Sequence, residues 1–237
     1  TSWISGENTD IADNSGYRVS PKSLKLSKVA TLIKGSRELL DGDDLAESEL
    51  RRDMAEEIAL ATDSAFFLGH GGTQPLGIIR DPGVTYTDLS GTIDLDNILD
   101  ALEQIRLAHQ QGNTIVCNPK VTFSLAKLKT ADGTYVMQDP ASDRPLSRGR
   151  VWGLDLFDTT EIDATGLPST DETAAVIGDF SQIIVGRPRS GAIRIDVTDS
   201  GGDAFEKDQV YIKAVSRVGF LPRRYGALAI IKGIDVS

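Results

Sequence analysis

The chain has 237 residues, 40% of them hydrophobic, and a formal charge of −10, which fits one large globular domain or two modest ones. Its 23 glycines and 9 prolines make it loop-rich, and the acidic balance argues against a broad basic nucleic-acid-binding face while leaving room for a local patch. A single cysteine, Cys117, excludes an internal disulfide, and no stretch has the length and apolarity of a membrane span or an apolar signal.

Residues 1–30 differ from the rest. Trp3 and Ile4 give a short apolar anchor, Ser5 to Ser20 is polar, and Leu24, Leu26 and Val29 then alternate with Lys22, Lys25 and Lys28. Two short strands joined by a long polar loop, an extended arm, fit this pattern. Residues 29–34 read as a strand. Ser36-Arg37-Glu38-Leu39-Leu40 reads as a short helical turn, and Asp41-Gly42-Asp43-Asp44 as a solvated acidic turn without the spacing of a calcium loop.

A long helix follows, from about Asp43 to Leu68. Leu50, Met54, Ile58, Ala61, Ala65 and Leu68 recur at three- and four-residue spacing, the period of one buried stripe. Gly69 to Ile78 is a glycine-rich stretch without the Gly-Lys-Ser/Thr of a phosphate loop, and reads as a rigid connector. Ile93 to Gln111 predicts a second helix with Leu95, Ile98, Leu99, Leu102, Ile105 and Ala108 as its stripe, Asp94 as cap and Gly112 as stop. Thr114 to Cys117 is a short apolar strand. Asn118-Pro119 caps and opens a third helix that buries Val121, Leu125 and Leu128.

Residues 130–150 read as a surface loop with one short strand at Tyr135–Met137. Val151 to Phe157 returns to the body, and Asp158 to Glu172 is another loop. Ala174 to Phe180 and Ile183 to Val185 read as two buried strands around a turn, and Ile193 to Val197 begins a closing sheet. Val210, Ile212, Ala214, Ser216, Val218 and Phe220 then alternate with Tyr211, Lys213, Val215 and Arg217, a long period-two strand. Leu228 to Ile231 is a last short strand. The helix–strand–helix series from Ile93 to Leu128 indicates a mixed α/β domain.

Little of this points to catalysis. Cys117 lies in an apolar run and reads as a buried thiol. His109 reads as a surface residue near a helix end, and the neighbours of His70 offer it no partner. Two histidines and one buried cysteine make a poor zinc set. No Gly-x-Ser-x-Gly elbow or Gly-x-Gly-x-x-Gly fingerprint is present. The carboxylates fall mostly in caps and loops, and no pair is singled out for hydrolysis.

The order of motifs resembles the major capsid proteins of tailed bacteriophages, the Hong Kong 97-type shell fold, over essentially the whole chain. Trp3-Ile4-Ser5-Gly6-Glu7 resembles the family's Trp-x-x-Glu-Gly region with its last two residues inverted, and Ser36-Arg37-Glu38-Leu39-Leu40 is similar to its Ser-Arg-Glu-Leu-Leu. The most specific stretch is Asp63 to Gly77, which resembles Asp-x-Ala-Phe-x-x-Gly-x-Gly-x-x-x-Pro-x-Gly. Asn118-Pro119, Asp132-Gly133-Thr134-Tyr135, Trp152-Gly153-Leu154 and Tyr225 to Gly233 follow in family order.

The resemblance implies an α+β subunit with an extended loop at 1–30. A peripheral domain at roughly 31–88 and 195–225 would hold the spine helix and long strands, and an axial domain would take roughly 89–194 and 226–237. It implies a structural role with no catalytic, cofactor-binding or metal-binding residues. The partners would be further copies in pentamers and hexamers, a scaffold, a maturation protease, a portal, and packaged DNA touched without sequence specificity, with no membrane involved. The location would be the virion, and the host cytoplasm during assembly. The family's amino-terminal arm and scaffolding segment have no counterpart before Thr1, as in a trimmed subunit. Some members join subunits through a lysine–asparagine bond. Here the lysine position falls near Asp10 or Ile11 and the asparagine position near Gln209, so no such bond is expected, with Lys22 and Lys25 the nearest alternatives. The competing readings are an encapsulin-like cellular compartment enclosing protein cargo, and a hydrolase with a deep cleft of paired acids.

Overall fold

In the computed structural model, which describes residues 22–38, 44–129, 132–133, 135, 150–162, 172–189, 193–199 and 208–235, two sheets share one long helix. The four-stranded sheet is built on β9 (Gln209–Pro222), which pairs antiparallel with β1 (Ser27–Ser36), β8 (Ile193–Thr198) and β7 (Ile183–Gly186). The six-stranded sheet runs in the order β2 (Thr85–Gly91), β10 (Leu228–Asp235), β6 (Glu172–Gly178), β3 (Thr114–Cys117), β5 (Leu154–Asp158) and β4 (Arg150–Val151). Its β10–β2 and β3–β5 pairs are parallel and the others antiparallel. The architecture is α+β with one mixed sheet.

Helix α1 (Asp44–Leu68) has 25 residues and rises about 37 Å at 1.5 Å per residue. Its middle packs on the four-stranded sheet, where Met54 and Ile58 meet Val210, Ile212 and Ala214, with Val29, Ile33, Leu50 and Ile195 around them. Alternation along β9 and β1 turns these residues toward the helix, as the period-two reading requires. Full burial of Met54 and Ile58 contributes about 1.5–3 kcal/mol each. The last turn leaves this sheet. Phe67 enters the core on one face of the six-stranded sheet, with Ile78, Ile79, Val84, Ile162, Val176 and Ile230. Phe66 spans the junction, its ring 4.9 Å from those of Phe67 and Phe220, edge to face with both. Ala61, expected in the stripe, is exposed. The helix changes sheets after Ile58, and the aromatic pair takes over the buried side.

Helices α2 (Leu95–Leu107) and α3 (Pro119–Ala126) cover the other face of the six-stranded sheet. Ile98, Ala101, Leu102, Ile105, Val121 and Leu125 form its core with Ile115, Leu156, Ile177 and Ile231. Asp94 and Asn97 cap α2 reciprocally, and the Asn118 side chain accepts from the Lys120 amide ahead of Pro119. Helix α2 is shorter than expected. His109, at φ 57°, is its left-handed stop, and Gly112 is not. The Gln110 amide donates to the Ile105 carbonyl at 3.1 Å and the His109 amide to the Arg106 carbonyl at 2.9 Å, the paired bonds of a Schellman end. Ala108 therefore lies past the helix, and Leu99, inside it, lies on the side away from the buried stripe.

Val151 to Phe157 returns to the body as a tight hairpin turning at Trp152-Gly153. Strands β6 and β7, expected as two buried strands around a turn, belong to different sheets, and Ile184 and Val185 of β7 are exposed. Tyr135 makes an isolated bridge to Lys129, while residues 136–137 lie outside the described residues. So do residues 1–21 of the expected arm, Leu39-Leu40, the turn at 41–43 and most of the expected loops at 130–150 and 158–172. Among the described residues no helix is long and apolar enough to cross a membrane.

Replacing Ile58 by Asp buries an unpaired carboxylate against Ile212 and should cost about 4 kcal/mol, whereas Ile58→Val should cost about 1 kcal/mol. Circular dichroism melting reads both. An Asp variant that melts with the parent would show that α1 does not bury this face.

Candidate functional site

The residues weighed for chemistry do not converge. Cys117 ends β3, fully buried, with its Sγ 3.4 Å from the Thr122 hydroxyl. Burial pushes its thiol up to about 11; the Thr122 contact opposes this and the Asp158 carboxylate adds to it. A thiol held protonated in an apolar core is a weak nucleophile and metal ligand. His109 is exposed at the end of α2. His70 does have a partner, contrary to expectation: Arg80 Nη1 lies 2.6 Å from its Nδ1 and donates to it, which fits a neutral ring with its proton on Nε2. The connector folds back and brings these residues together. Among the described residues no carboxylate is buried, and no cluster of His, Cys, Asp and Glu has metal-binding geometry.

Two places show where the sequence is committed to shape. The connector after α1 closes on itself. The Gly77 amide donates to the Gly69 carbonyl at 3.0 Å, and His70 bridges Leu76. A Cβ on Gly69 would lie 2.1 Å from the Pro75 carbonyl oxygen, and one on Gly77 would lie 2.4 Å from the Gly69 nitrogen. Backbone packed this closely admits only glycine at both positions, which is the physical content of the Gly-x-Gly-x-x-x-Pro-x-Gly spacing.

The second place is the root of the expected arm. Residues 22–26 cross the β7–β9 pair where Gly186 stands opposite Gly219. The Leu24 side chain fills that slot: a Cβ on Gly186 would lie 2.3 Å from Leu24 Cδ2, and one on Gly219 would lie 2.4 Å from the Lys25 carbonyl oxygen. Lys22 Nζ donates to the Pro222 carbonyl at 3.1 Å and sits 4.1 Å from the centre of the Tyr225 ring. This anchoring was not legible in the sequence, because neither glycine looks special alone and their pairing across strands is a tertiary fact. Arg37, within the Ser-Arg-Glu-Leu-Leu stretch, binds Asp199 at 2.7 Å and approaches Asp208 at 3.5 Å, tying the end of β1 to the ends of β8 and β9. The Arg37 bond holds the Asp199 carboxyl below the usual carboxylate range.

The surfaces carry opposite signs. The outer side of the four-stranded sheet presents Lys28, Lys34, Arg194, Lys213 and Arg217 around one acid, Asp196, which binds Arg194 at 2.8 Å and Lys213 at 3.6 Å. The outer side of α1 presents Glu49, Asp53, Glu56, Glu57 and Asp63 against Arg52. The local basic patch is therefore real in a chain of formal charge −10. The hollows described are shallow surface depressions, and Leu32, Lys34, Tyr211 and Lys213 line one of them.

The phage capsid family model matches residues 1–233 of this chain. The major capsid protein of Enterobacteria phage HK97 is 24% identical over 217 residues, covering 90% of this chain and 53% of that protein. The chain thus spans about half the length of the curated relative it matches. Among solved structures, the capsid of an empty GTA particle aligns with a TM-score of 0.75 at 21% identity, covering 99% of this chain and 81% of that one. A chain from Gordonia phage Cozz also gives 0.75, at 17% identity, over 98% and 77%. The SrpI encapsulin of Synechococcus elongatus gives 0.65, at 16% identity, over 90% and 75%. These likenesses show a shared fold, the Hong Kong 97-type architecture.

The Cys117 environment sets a pH dependence. The folded thiol titrates at about 11 against 9.0 for the free group, so the folded state holds the proton more tightly. Its stabilising contribution is complete below about pH 9 and is lost as pH rises toward 11, by on the order of 2 kcal/mol. Denaturant unfolding across that range should show the decline, and Cys117→Ala should remove this part of the slope. Equal slopes in parent and variant would contradict the buried protonated thiol.

Proposed function

The chain belongs to the phage capsid family, and we propose that it is a structural major capsid subunit that assembles with copies of itself into an icosahedral shell enclosing double-stranded phage DNA. The family match over residues 1–233 carries this reading. The two sheets divide the labour. The four-stranded sheet with α1 is the peripheral part, expected at roughly 31–88 and 195–225. The six-stranded sheet with α2 and α3 is the axial part, expected at roughly 89–194 and 226–237. Strand β2 goes with the axial part and β7 with the peripheral part, following the sheets in which they pair. Of the extended loop expected at 1–30, residues 27–30 belong to β1 of the subunit's own sheet and residues 22–26 are the root that aims the part before them onto a neighbouring subunit. The surplus of acid fits a wall that confines DNA without gripping it. Pentamers and hexamers form the shell, and a scaffold, a maturation protease and a portal complete the assembly.

The encapsulin likeness supports a second reading, a compartment enclosing protein cargo. Electron microscopy of particles from cells making the natural gene product, with ultraviolet absorbance of their contents, tests both. Closed shells containing nucleic acid are expected. Closed shells containing only protein favour the compartment, and a product that stays monomeric with scaffold and protease supplied contradicts a shell role.

The shell is held without covalent links between subunits. Gln209 stands at the start of β9, paired with Ser36, where the linked family members use asparagine. Lys22, the nearest substitute lysine described, is engaged by Pro222 and Tyr225. Denaturing gel electrophoresis of shells should give a single-chain band. A ladder of multimers would contradict this.

A further inference from the structure

Beyond the end of α2 lies a polar hollow of about 630 Å³, lined by Arg106, His109, Gln110, Gln111 and Gly112. The segment joining β9 to β10 closes against it at Gly226, where a Cβ would lie 2.7 Å from that of Ala108. This approach sets Arg224 at the rim, and its Nη1 donates to Gln110 Oε1 at 3.3 Å. Arg106, His109 and Arg224 are all exposed. Among the described residues no carboxylate lines the hollow and Arg106 has no ion-pair partner; Glu103, one turn earlier, lines the adjoining depression. A helix end ordinarily repels an anion through its unpaired carbonyls. Here the Ile105, Arg106, Ala108 and His109 carbonyls all accept hydrogen bonds, and Gln110 Nε2 supplies two of them, at 3.5 Å to Ala108 and 2.9 Å to His109. His109 itself holds the left-handed stop at φ 57°, a conformation that glycine adopts without a Cβ penalty. An imidazole is thus held at a backbone cost between two guanidinium-bearing segments, with the negative end of the helix capped.

We propose that this hollow binds a phosphoryl oxyanion, with Arg106 and Arg224 as its charged donors and His109 as a third. Each guanidinium is a planar fork that meets two oxygens of one anion at once. A carboxylate has two oxygens and is satisfied by one fork, whereas a phosphoryl group presents three and uses both forks and the imidazole. Gln110 has a double part: its amide nitrogen quiets the helix carbonyls, and its oxygen orients Arg224. The phosphoryl group belongs either to a free phosphate compound or to the backbone of a nucleic acid, and the chemistry of recognition is the same for both. The inference goes beyond the shell reading and does not depend on it.

Pyrophosphate titrated into the unassembled full chain and followed by calorimetry should bind saturably, while acetate should not. Arg106→Gln and Arg224→Gln should each weaken pyrophosphate roughly tenfold or more, the loss expected for a hydrogen bond to a charged group. His109→Gly separates folding from binding, since glycine suits the left-handed stop: the variant should melt at or above the parent temperature and bind pyrophosphate roughly threefold or more weakly. Lys28→Gln, on the basic face of the four-stranded sheet, removes one positive charge elsewhere and should leave the affinity unchanged. A short DNA duplex added as competitor distinguishes the two sources. Displacement of pyrophosphate assigns the hollow to a nucleic-acid backbone, and binding undisturbed by the duplex assigns it to a free phosphate compound. A parent chain without saturable pyrophosphate binding, or one in which Lys28→Gln weakens binding as much as Arg106→Gln, would overturn the oxyanion site and leave the shell reading standing.

Discussion

One helix serves two hydrophobic cores. The middle of α1 completes the core on the four-stranded sheet through Met54 and Ile58, and its end completes one core of the six-stranded sheet through Phe67. It covers the apolar face of the four-stranded sheet and supplies Phe67 to the core on one face of the six-stranded sheet, whose other face is covered by α2 and α3. The second tie is covalent: β9, the strand on which the four-stranded sheet is built, passes through residues 225–227 into β10, which lies between β2 and β6 in the other sheet. A rigid helix and a continuous strand pair thus hold the sheets in one arrangement. That rigidity is what a wall component needs, since its contacts with neighbours must meet in fixed geometry.

Much of this was legible from period alone. The stripe at Leu50, Met54 and Ile58, the alternation from Val210 to Val218, and the Asn118-Pro119 helix start each follow from one rule of local geometry. The failures have local causes. Ala61 lies where α1 changes partner, and a period cannot report a change of partner. His109 took the left-handed stop that glycine normally takes, so the helix ended before Gly112. Strands β6 and β7 are adjacent in sequence but diverge into two sheets, which no run of apolar residues encodes. The His70–Arg80 pair depended on the connector closing between Gly69 and Gly77.

The surface residues follow the same division. Motifs matched to the family proved to be places where backbone meets backbone or where strand ends are fastened: the Gly69–Gly77 closure and Arg37 with Asp199 and Asp208. The paired glycines under Leu24 perform that work without any visible motif. Exposed features such as Trp152 and the oppositely charged faces are free of these internal demands. They are the parts of the chain most open to being shaped by contacts with neighbours.

If α1 and β9–β10 bind the two sheets into one cooperative unit, global opening must expose both cores together. Native-state hydrogen exchange under increasing denaturant measures this directly. The amides of Met54 and Ile58 in α1, Ile212 and Ala214 in β9, and Ile177 and Ile230 in the six-stranded sheet should merge onto one opening free energy. Two separate free energies, with the four-stranded sheet opening while the six-stranded sheet stays protected, would show independent domains and contradict the shared-helix account.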